Sequence, residues 1–409
     1  MAQIQPFAGI LYRVPQAELG RVLAPPYDVI PPAYQDELYA RDPRNIVRVI
    51  LNRTPGDAGY AEAGETWARW QKEGLVAPDA EPALYVLEQR FEAEGRSYVR
   101  HGVLARFKAE PPETGAIKPH EHTRKAAKED RWRALNATRA NFSPIFLMVP
   151  DDDRAFARLL AGAGQGAPAL EYTDDGGVLQ RVFRVTDPAA VASYQRLLGA
   201  RPAYIADGHH RCATALRYAE ARGPQGAWTL GYFTPMGAEG LVVLPYHRIL
   251  SSGPSLSEAE SLLAPHFDTR RLSGVAAAAE AAGSSKAGYA FALAEPGDGA
   301  LLVEAPSDAS ERLAADTPAC LAQLDTYFLH HAVLKPMLGV ADEAVSYVHS
   351  LAEAEESLAG GHCKLAVLLR ATPVQHIVDV ADARESMPAK STFFHPKLPS
   401  GLVVHPLLA

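Results

Sequence analysis

The sequence predicts an α/β protein, in its α+β form with mixed sheets, and three observations predict it. Apolar runs of strand length alternate irregularly with segments of helical period. Two such runs, Ala83 to Phe91 and Ser97 to Phe107, are joined around Gly95, a hairpin signal that implies antiparallel pairing. Elsewhere a strand-like run leads straight into a helix, as Tyr204-Ile205-Ala206 does.

Composition sets the outer limits. The chain has 409 residues, of which 47% are hydrophobic and 22% charged, which excludes global disorder. That length suffices for two or three domains with cores that need no disulfide or metal staple. A shift to Ser, Ala and Gly after Ser251 places a boundary there: residues 1–250 form a core region and 251–409 a C-terminal α/β region. The net charge is -8, from 40 Lys+Arg against 48 Asp+Glu. With no long basic run, this argues against nucleic acid or an anionic membrane as partner. Cys212, Cys320 and Cys363 lie far apart and form no CxxC pair, so a reducing, cytoplasmic setting is expected. The first ten residues lack the pattern of a signal peptide, and no run of about 18 apolar residues predicts a membrane span.

The elements follow in order. Residues Ala24 to Pro32, with four prolines, are excluded from helix, because each proline fixes φ and extends its predecessor. Ile46 to Leu51 reads as a short strand. Tyr60, Ala63, Trp67 and Trp70 keep helical spacing, and Gly74 is placed to end that helix. In the charged stretch Lys118 to Asn141, Glu129 and Arg133 at i,i+4 mark part of a solvated helix face. Val178 to Val185 reads as a strand, followed by a helix that starts at Asp187-Pro188. Cys212, Leu216 and Ala219 give one face of the helix after Ala206, and Leu241 to Leu244 is another strand. A helix is expected around Pro318 to Leu338, and a strand at Leu365 to Leu369. Thr372-Pro373 then supplies a cap and a first-turn proline for a further helix. Leu402 to Val404 is the last expected strand.

The sharpest chemical signal is Asp207-Gly208-His209-His210-Arg211, between a strand and a helix. Gly208 permits a tight turn. The helix start offers N–H groups and a positive dipole end, and His209, His210 and Arg211 add donors there, which makes a phosphate cradle. Asp207 repels a phosphate, and makes sense as a Mg²⁺ ligand or as proton acceptor from an attacking hydroxyl. The plainer reading is an N-cap Asp beside two surface histidines. The second concentration holds His120, Glu121, His122, Lys128, Arg131 and Arg139. His120 and His122 would share a face on a strand, but no third ligand or HExxH pattern completes a zinc site. A pocket for a small polar substrate or for nucleotide phosphates competes there with a plain charged surface. The Pro25-Pro26 loop aims Tyr27 and Asp28. The loop from Met387 to Lys397 offers Lys390 and Lys397, to a phosphate or to solvent. Gly162 to Gly166 follows a helix-like segment, so it reads as a loop and not as a dinucleotide fingerprint. No GxxxxGK[ST], HRD or GxSxG motif is present.

Several segments together carry a resemblance. They are Ala24 to Ile30 (APPYDVI), Lys128 to Arg131 (KEDR), Ala137 to Ile145 (ATRANFSPI), Tyr204 to Arg211 (YIADGHHR), Met387 to Lys397 (MPAKSTFFHPK) and Gly401 to Pro406 (GLVVHP). Nearly end to end, the chain resembles the domain of unknown function 1015 family. Its Asp207 to Arg211 loop is also similar to that of the ParB/sulfiredoxin-like superfamily. Free serine kinases of that superfamily use a DGHHR-type loop on nucleotide phosphates, and ParB uses a related loop for a nucleotide. The resemblance implies a ParB/sulfiredoxin-like nucleotide-binding core and a phosphotransferase acting on a small hydroxyl compound, free L-serine first. ATP or ADP is the implied co-substrate, with Mg²⁺ at Asp207. Gly208, His209, His210, Arg211, Lys128, Arg131 and Arg139 would bind phosphate. Asp207, Glu121 or Asp28 would be the base, with Glu121 and Asp207 favoured. The alternative is a ParB-like regulator that binds or slowly hydrolyses a nucleotide without kinase activity. A protein-interaction scaffold with a degenerate loop is a third class. The oligomeric state is left open.

Overall fold

Most strands pair into two principal sheets, and their central strands are buried along nearly their whole length. The computed structural model describes residues 1–361 and 363–407. It divides the chain into two units: one of Met1–Pro119, Thr123–Val242 and Pro396–Ala409, the other of His120–His122 and Val243–His395.

The first unit is built on a nine-stranded mixed sheet. Its order is Ile117–Lys118, Ala203–Asp207, Ile145–Val149, Trp228–Pro235, Arg96–Lys108, Leu84–Ala93, Leu179–Val185, Leu170–Thr173, and Ile4–Gln5 also pairs with Arg96–Lys108. Two pairings are parallel: Ala203–Asp207 with Ile117–Lys118, and Trp228–Pro235 with Ile145–Val149. The expected hairpin turns at Glu94-Gly95, whose φ values of 49° and 72° are the left-handed pair that matches the twist of its strands. Leu84, Val86, Val103, Phe107, Leu147 and Ile205 form the core, and Phe156 and Leu160 of the Ala155–Ala163 helix pack into it.

The second unit carries a six-stranded antiparallel sheet. Its order is Asp268–Ser273, Gly299–Ala305, Tyr289–Ala294, Leu365–Leu369, His247–Leu250, Val345–Val348. Its strands alternate strictly. Phe291, Leu293, Leu365 and Val367 enter one core, while Ala292, Ala294, Ala366 and Leu368 enter another, the period-2 signature of a sheet covered on both faces. Among the described residues no helix is long and apolar enough to cross a membrane.

Four local expectations are corrected. Ile46 to Leu51 is not a strand; Val47–Ile50 is a short helix with Val47, Val49 and Ile50 buried. The buried Asn45 starts it: its Oδ1 accepts from the Val47 N–H at 2.9 Å, and its Nδ2 donates to Arg21 O at 2.7 Å and Leu23 O at 3.1 Å. An Asx turn of this kind overrides the β propensity of the valines. The helix expected across Pro318 to Leu338 is broken into Ala319–Ala322, Asp325–Phe328 and a π-helical turn at Leu329–Leu334. Pro373, not Thr372, caps the Val374–Asp382 helix, because the Thr372 hydroxyl donates to Ser391 O instead. At the chain's end Val404 makes a single bridge to Ile10, and the strand is His405–Pro406, paired with Ala140–Asn141.

Asn45→Ala should leave the Arg21 and Leu23 carbonyls unpaired, at about 1–3 kcal/mol each. Urea unfolding of the variant should show a lower midpoint with an unchanged m-value. A midpoint equal to wild type would remove Asn45 as the nucleus of this turn.

Candidate functional site

The Asp207 to Arg211 loop sits at the end of the Ala203–Asp207 strand and opens the His209–Arg222 helix. Tyr204 and Ile205 pair with Met148 and Leu147, but Asp207 pairs with Phe146, so Ala206 is bulged out of the ladder. A bulge of this kind re-aims the residue that follows it. Gly208 then takes φ 99°, and a Cβ there would lie 3.0 Å from Nε and Cζ of Arg211. Glycine thus meets two demands at one position, the left-handed backbone and the close return of the Arg211 side chain.

The carboxylate of Asp207 does not cap the helix; Gly208 is the cap residue. Each Asp207 oxygen is held by a different cation, Oδ2 by Arg211 Nη2 and Oδ1 by Lys397 Nζ. The three side chains are only 12–16% exposed. Burial alone would raise the Asp207 carboxyl, but Lys397 and Arg211 outweigh it and hold it well below the usual carboxylate range. Arg211 also donates from Nη1 to Pro144 O. Lys397 is positioned through its neighbour. The wholly buried Arg100 donates to Pro396 O at 2.5 Å and, from Nε, to Gln89 Oε1 at 3.0 Å, with its guanidinium 4.7 Å from the Phe146 ring centre.

The Lys125–Thr138 helix packs beside the His209–Arg222 helix. Glu129 joins them, accepting from Arg217 at 2.8 Å and from Arg133 of its own helix at 3.2 Å, the expected i,i+4 pair. Arg131 lies 3.6 Å from the Tyr27 ring centre and donates from Nε to Asp130 at 2.7 Å, and Asp130 accepts from the Tyr60 hydroxyl at 2.6 Å. His210 accepts at Nε2 from the Arg124 backbone N–H at 3.0 Å. Burial lowers the His210 pKa; Asp28 opposes the shift, and Arg124, Lys128 and Arg211 add to it. Burial thus favours the neutral ring, the form that accepts the Arg124 N–H. Asp28 is exposed on the Tyr27–Val29 turn and makes no hydrogen bond or ion pair among the described residues. Arg131 and Arg211 also border a cavity walled by Tyr27, Ile50, Leu135 and Phe142.

The structure therefore brings Asp28, Lys128, Arg131 and the Asp207 to Arg211 loop together, with His209 buried at the start of the helix. Arg139 has another position. It is exposed at the far end of the Lys125–Thr138 helix, with φ 50°, and turns the chain into Ala140–Asn141. Glu121 belongs to the second unit, where it bridges Met387. His120 is buried and His122 exposed, so the two do not share one environment as a metal pair must. Lys390 is exposed in the second unit, its Nζ 3.3 Å from the Tyr246 hydroxyl. Sequence reasoning offered Lys397 to a phosphate or to solvent, read Tyr60 only as part of a helix face and Asp130 only as part of a charged segment, and missed Arg100 altogether. Lys397 is 190 residues from Asp207, a separation that leaves no local pattern to read.

A magnesium ion at Asp207 does not fit these donors. Both carboxylate oxygens already hold a cation, and a hard dication needs free oxygens. Among the described residues no group of three or more His, Cys, Asp or Glu could hold a metal.

A family model described as protein of unknown function (DUF1015) matches residues 4–327. No curated protein matches the chain. Among solved structures, the chain is similar to a free serine kinase mutant in complex with AMP, at 13% identity and TM-score 0.36, covering 71% of this chain and 86% of that one. It is similar to a conserved hypothetical protein from Pyrococcus furiosus at 15% identity and TM-score 0.36, covering 73% and 93%. It is also similar to C-terminally truncated SbnI from Staphylococcus aureus at 11% identity and TM-score 0.37, covering 74% and 87%.

Two outcomes follow from the Asp207 geometry. A carboxyl depressed on folding stabilises above its unfolded pKa of about 3.9 and loses that stabilisation as pH falls toward its folded value. Wild type should thus lose stability more steeply than Asp207→Asn below about pH 4. At pH 7 the variant should be less stable by on the order of 3 kcal/mol, because two cations lose their partner. Parallel pH profiles would disprove the coupling. Gly208→Ala should cost about 1–2 kcal/mol from its left-handed backbone alone, read as a lower thermal midpoint.

Proposed function

The chain belongs to the family described as protein of unknown function (DUF1015), and from the site its loop builds we propose a nucleotide-dependent phosphotransferase acting on a small hydroxyl compound. One observation carries the reading. A glycine-turned helix start collects Arg211 and Lys397 on one clamped carboxylate, beside Lys128 and Arg131 and opposite an unengaged Asp28. Cations pre-positioned in a sheltered loop suit an anion that carries several charges, because they need little reorganisation when it arrives. The resemblance of the loop to that of free serine kinases makes L-serine the first acceptor to test, with ATP or ADP as donor.

In this reading Asp207 is a positioning residue. A carboxyl held so acidic is a poor proton acceptor. Asp28 is the better base. The acceptor hydroxyl oxygen attacks the terminal phosphorus of the nucleotide, its proton passes to Asp28, and the bond to the bridging oxygen breaks. The shortened nucleotide takes the electron pair. Arg211, Lys397 and Arg131 balance the charge on the moving group.

The same clamp favours a second reading, a regulator that binds a nucleotide without transferring phosphate. Assay for O-phosphoserine, and for phosphorylation of a panel of small alcohols, separates the two. Tight nucleotide binding with no product would select the regulator.

Asp28→Asn should lower turnover by about 10²–10⁴-fold with nucleotide affinity nearly unchanged. Arg211→Ala should weaken nucleotide binding by about tenfold or more, as loss of a charge-assisted donor does. Calorimetric titration with ADP and ATP measures the second effect, and unaltered affinity there would remove the phosphate-cradle reading.

A further inference from the structure

The cavity bordered by Arg131 and Arg211 has a chemistry of its own. Its charged side chains are those two arginines, and its walls include Val49, Ile50, Leu135, Phe142 and Ile145. No carboxylate lines it, so the ammonium of an amino acid would find no counter-charge. Its apolar walls suit a flat ring, with the phosphate chain toward the arginines.

Four polar side chains of the wall have a readable polarity. The Thr138 hydroxyl donates to Ala134 O at 2.8 Å, and the Thr214 hydroxyl to His210 O at 2.8 Å. The Thr229 hydroxyl lies 3.4 Å from Asn141 Oδ1. A hydroxyl whose single proton is engaged can only accept. Asn141 is the reverse. Its Oδ1 takes the Leu230 backbone N–H at 3.3 Å and faces His405 Nδ1 at 3.1 Å. The backbone donor fixes which end of the amide is oxygen, and Nδ2, with two protons, is left over. The turn at Arg139 and the pairing of Ala140–Asn141 with His405–Pro406 hold Thr138 and Asn141 as neighbours on the cavity wall.

We propose that Asn141 and Thr138 select the base, admitting a heteroaromatic ring whose base-pairing edge sets an exocyclic amino group beside a ring-nitrogen acceptor and disfavouring rings that set an N–H beside a keto group there. The amide offers the donor for the ring nitrogen, and the engaged hydroxyl accepts from the amino group. Adenine and cytosine have this edge. Uracil sets N3–H and guanine N1–H where adenine and cytosine have the ring-nitrogen acceptor, so each brings a donor against the amide donor, and their keto oxygens bring an acceptor against the hydroxyl acceptor. The inference rests on the proposed nucleotide site.

The test is calorimetric titration of the full chain with ADP, CDP, GDP and UDP, which carry equal phosphate charge. ADP or CDP should bind about tenfold or more tightly than GDP and UDP, as one mismatched buried pair predicts. Asn141→Asp, which replaces the donor with an acceptor, should weaken ADP and strengthen GDP, whose N1–H and N2–H groups then find a partner. Thr138→Val keeps the shape and should shrink the preference without touching the phosphate end, which covers a failure of Asn141→Asp to fold. Equal affinity for all four nucleotides, or an ADP-to-GDP ratio unmoved in a folded variant, overturns the inference and leaves the phosphotransferase reading standing. No binding of any nucleotide overturns both.

Discussion

The ion triad of Asp207 with Arg211 and Lys397 is the interaction on which the rest of the site depends. Withdrawing a carboxylate from water is costly, and only paired cations offset the cost. The fold supplies them from opposite directions. Arg211 comes from one helical turn further along the chain, and Lys397 comes from a segment anchored by the buried Arg100. The bulge at Ala206 and the left-handed Gly208 make the approach of Arg211 possible. Remove the carboxylate, and two cations confront each other in a sheltered space.

The proposed function asks an acidic chain to take up an anion. The net charge of -8 describes the whole surface. Around the loop, however, Arg124, Lys128, Arg131, Arg211 and Lys397 outnumber Asp28, Asp130 and Asp207. In that reading a local field of this kind would draw a small polyanion into a cleft while the acidic remainder would keep longer polyanions away.

Much of this was legible from residues alone, for physical reasons that differ by segment. The strand, turn and helix around Gly208 could be read because apolar run, glycine and helical period are all local. The hairpin at Gly95 and the helix ended by Gly74 were legible in the same way. Ile46 to Leu51 was not, because its conformation is decided by carbonyls of Arg21 and Leu23 that Asn45 reaches across the chain. Lys397 was visible only as a lysine in a loop, since its partner is distant in sequence. Arg139 looked like one more cation for a phosphate, yet its backbone at φ 50° serves to turn the chain. Glu121 stood beside the basic run in sequence but folds with the second unit.

The separation of 190 residues between Asp207 and Lys397 has a kinetic side. Contacts within the strand–loop–helix unit close short loops, whereas this pair must close a very long one, and long closures are slow and entropically late. The sheet and its helices can therefore consolidate before the lysine docks. A chain whose Lys397 had not docked would leave Asp207 with one cation instead of two, more hydrated than in the finished protein.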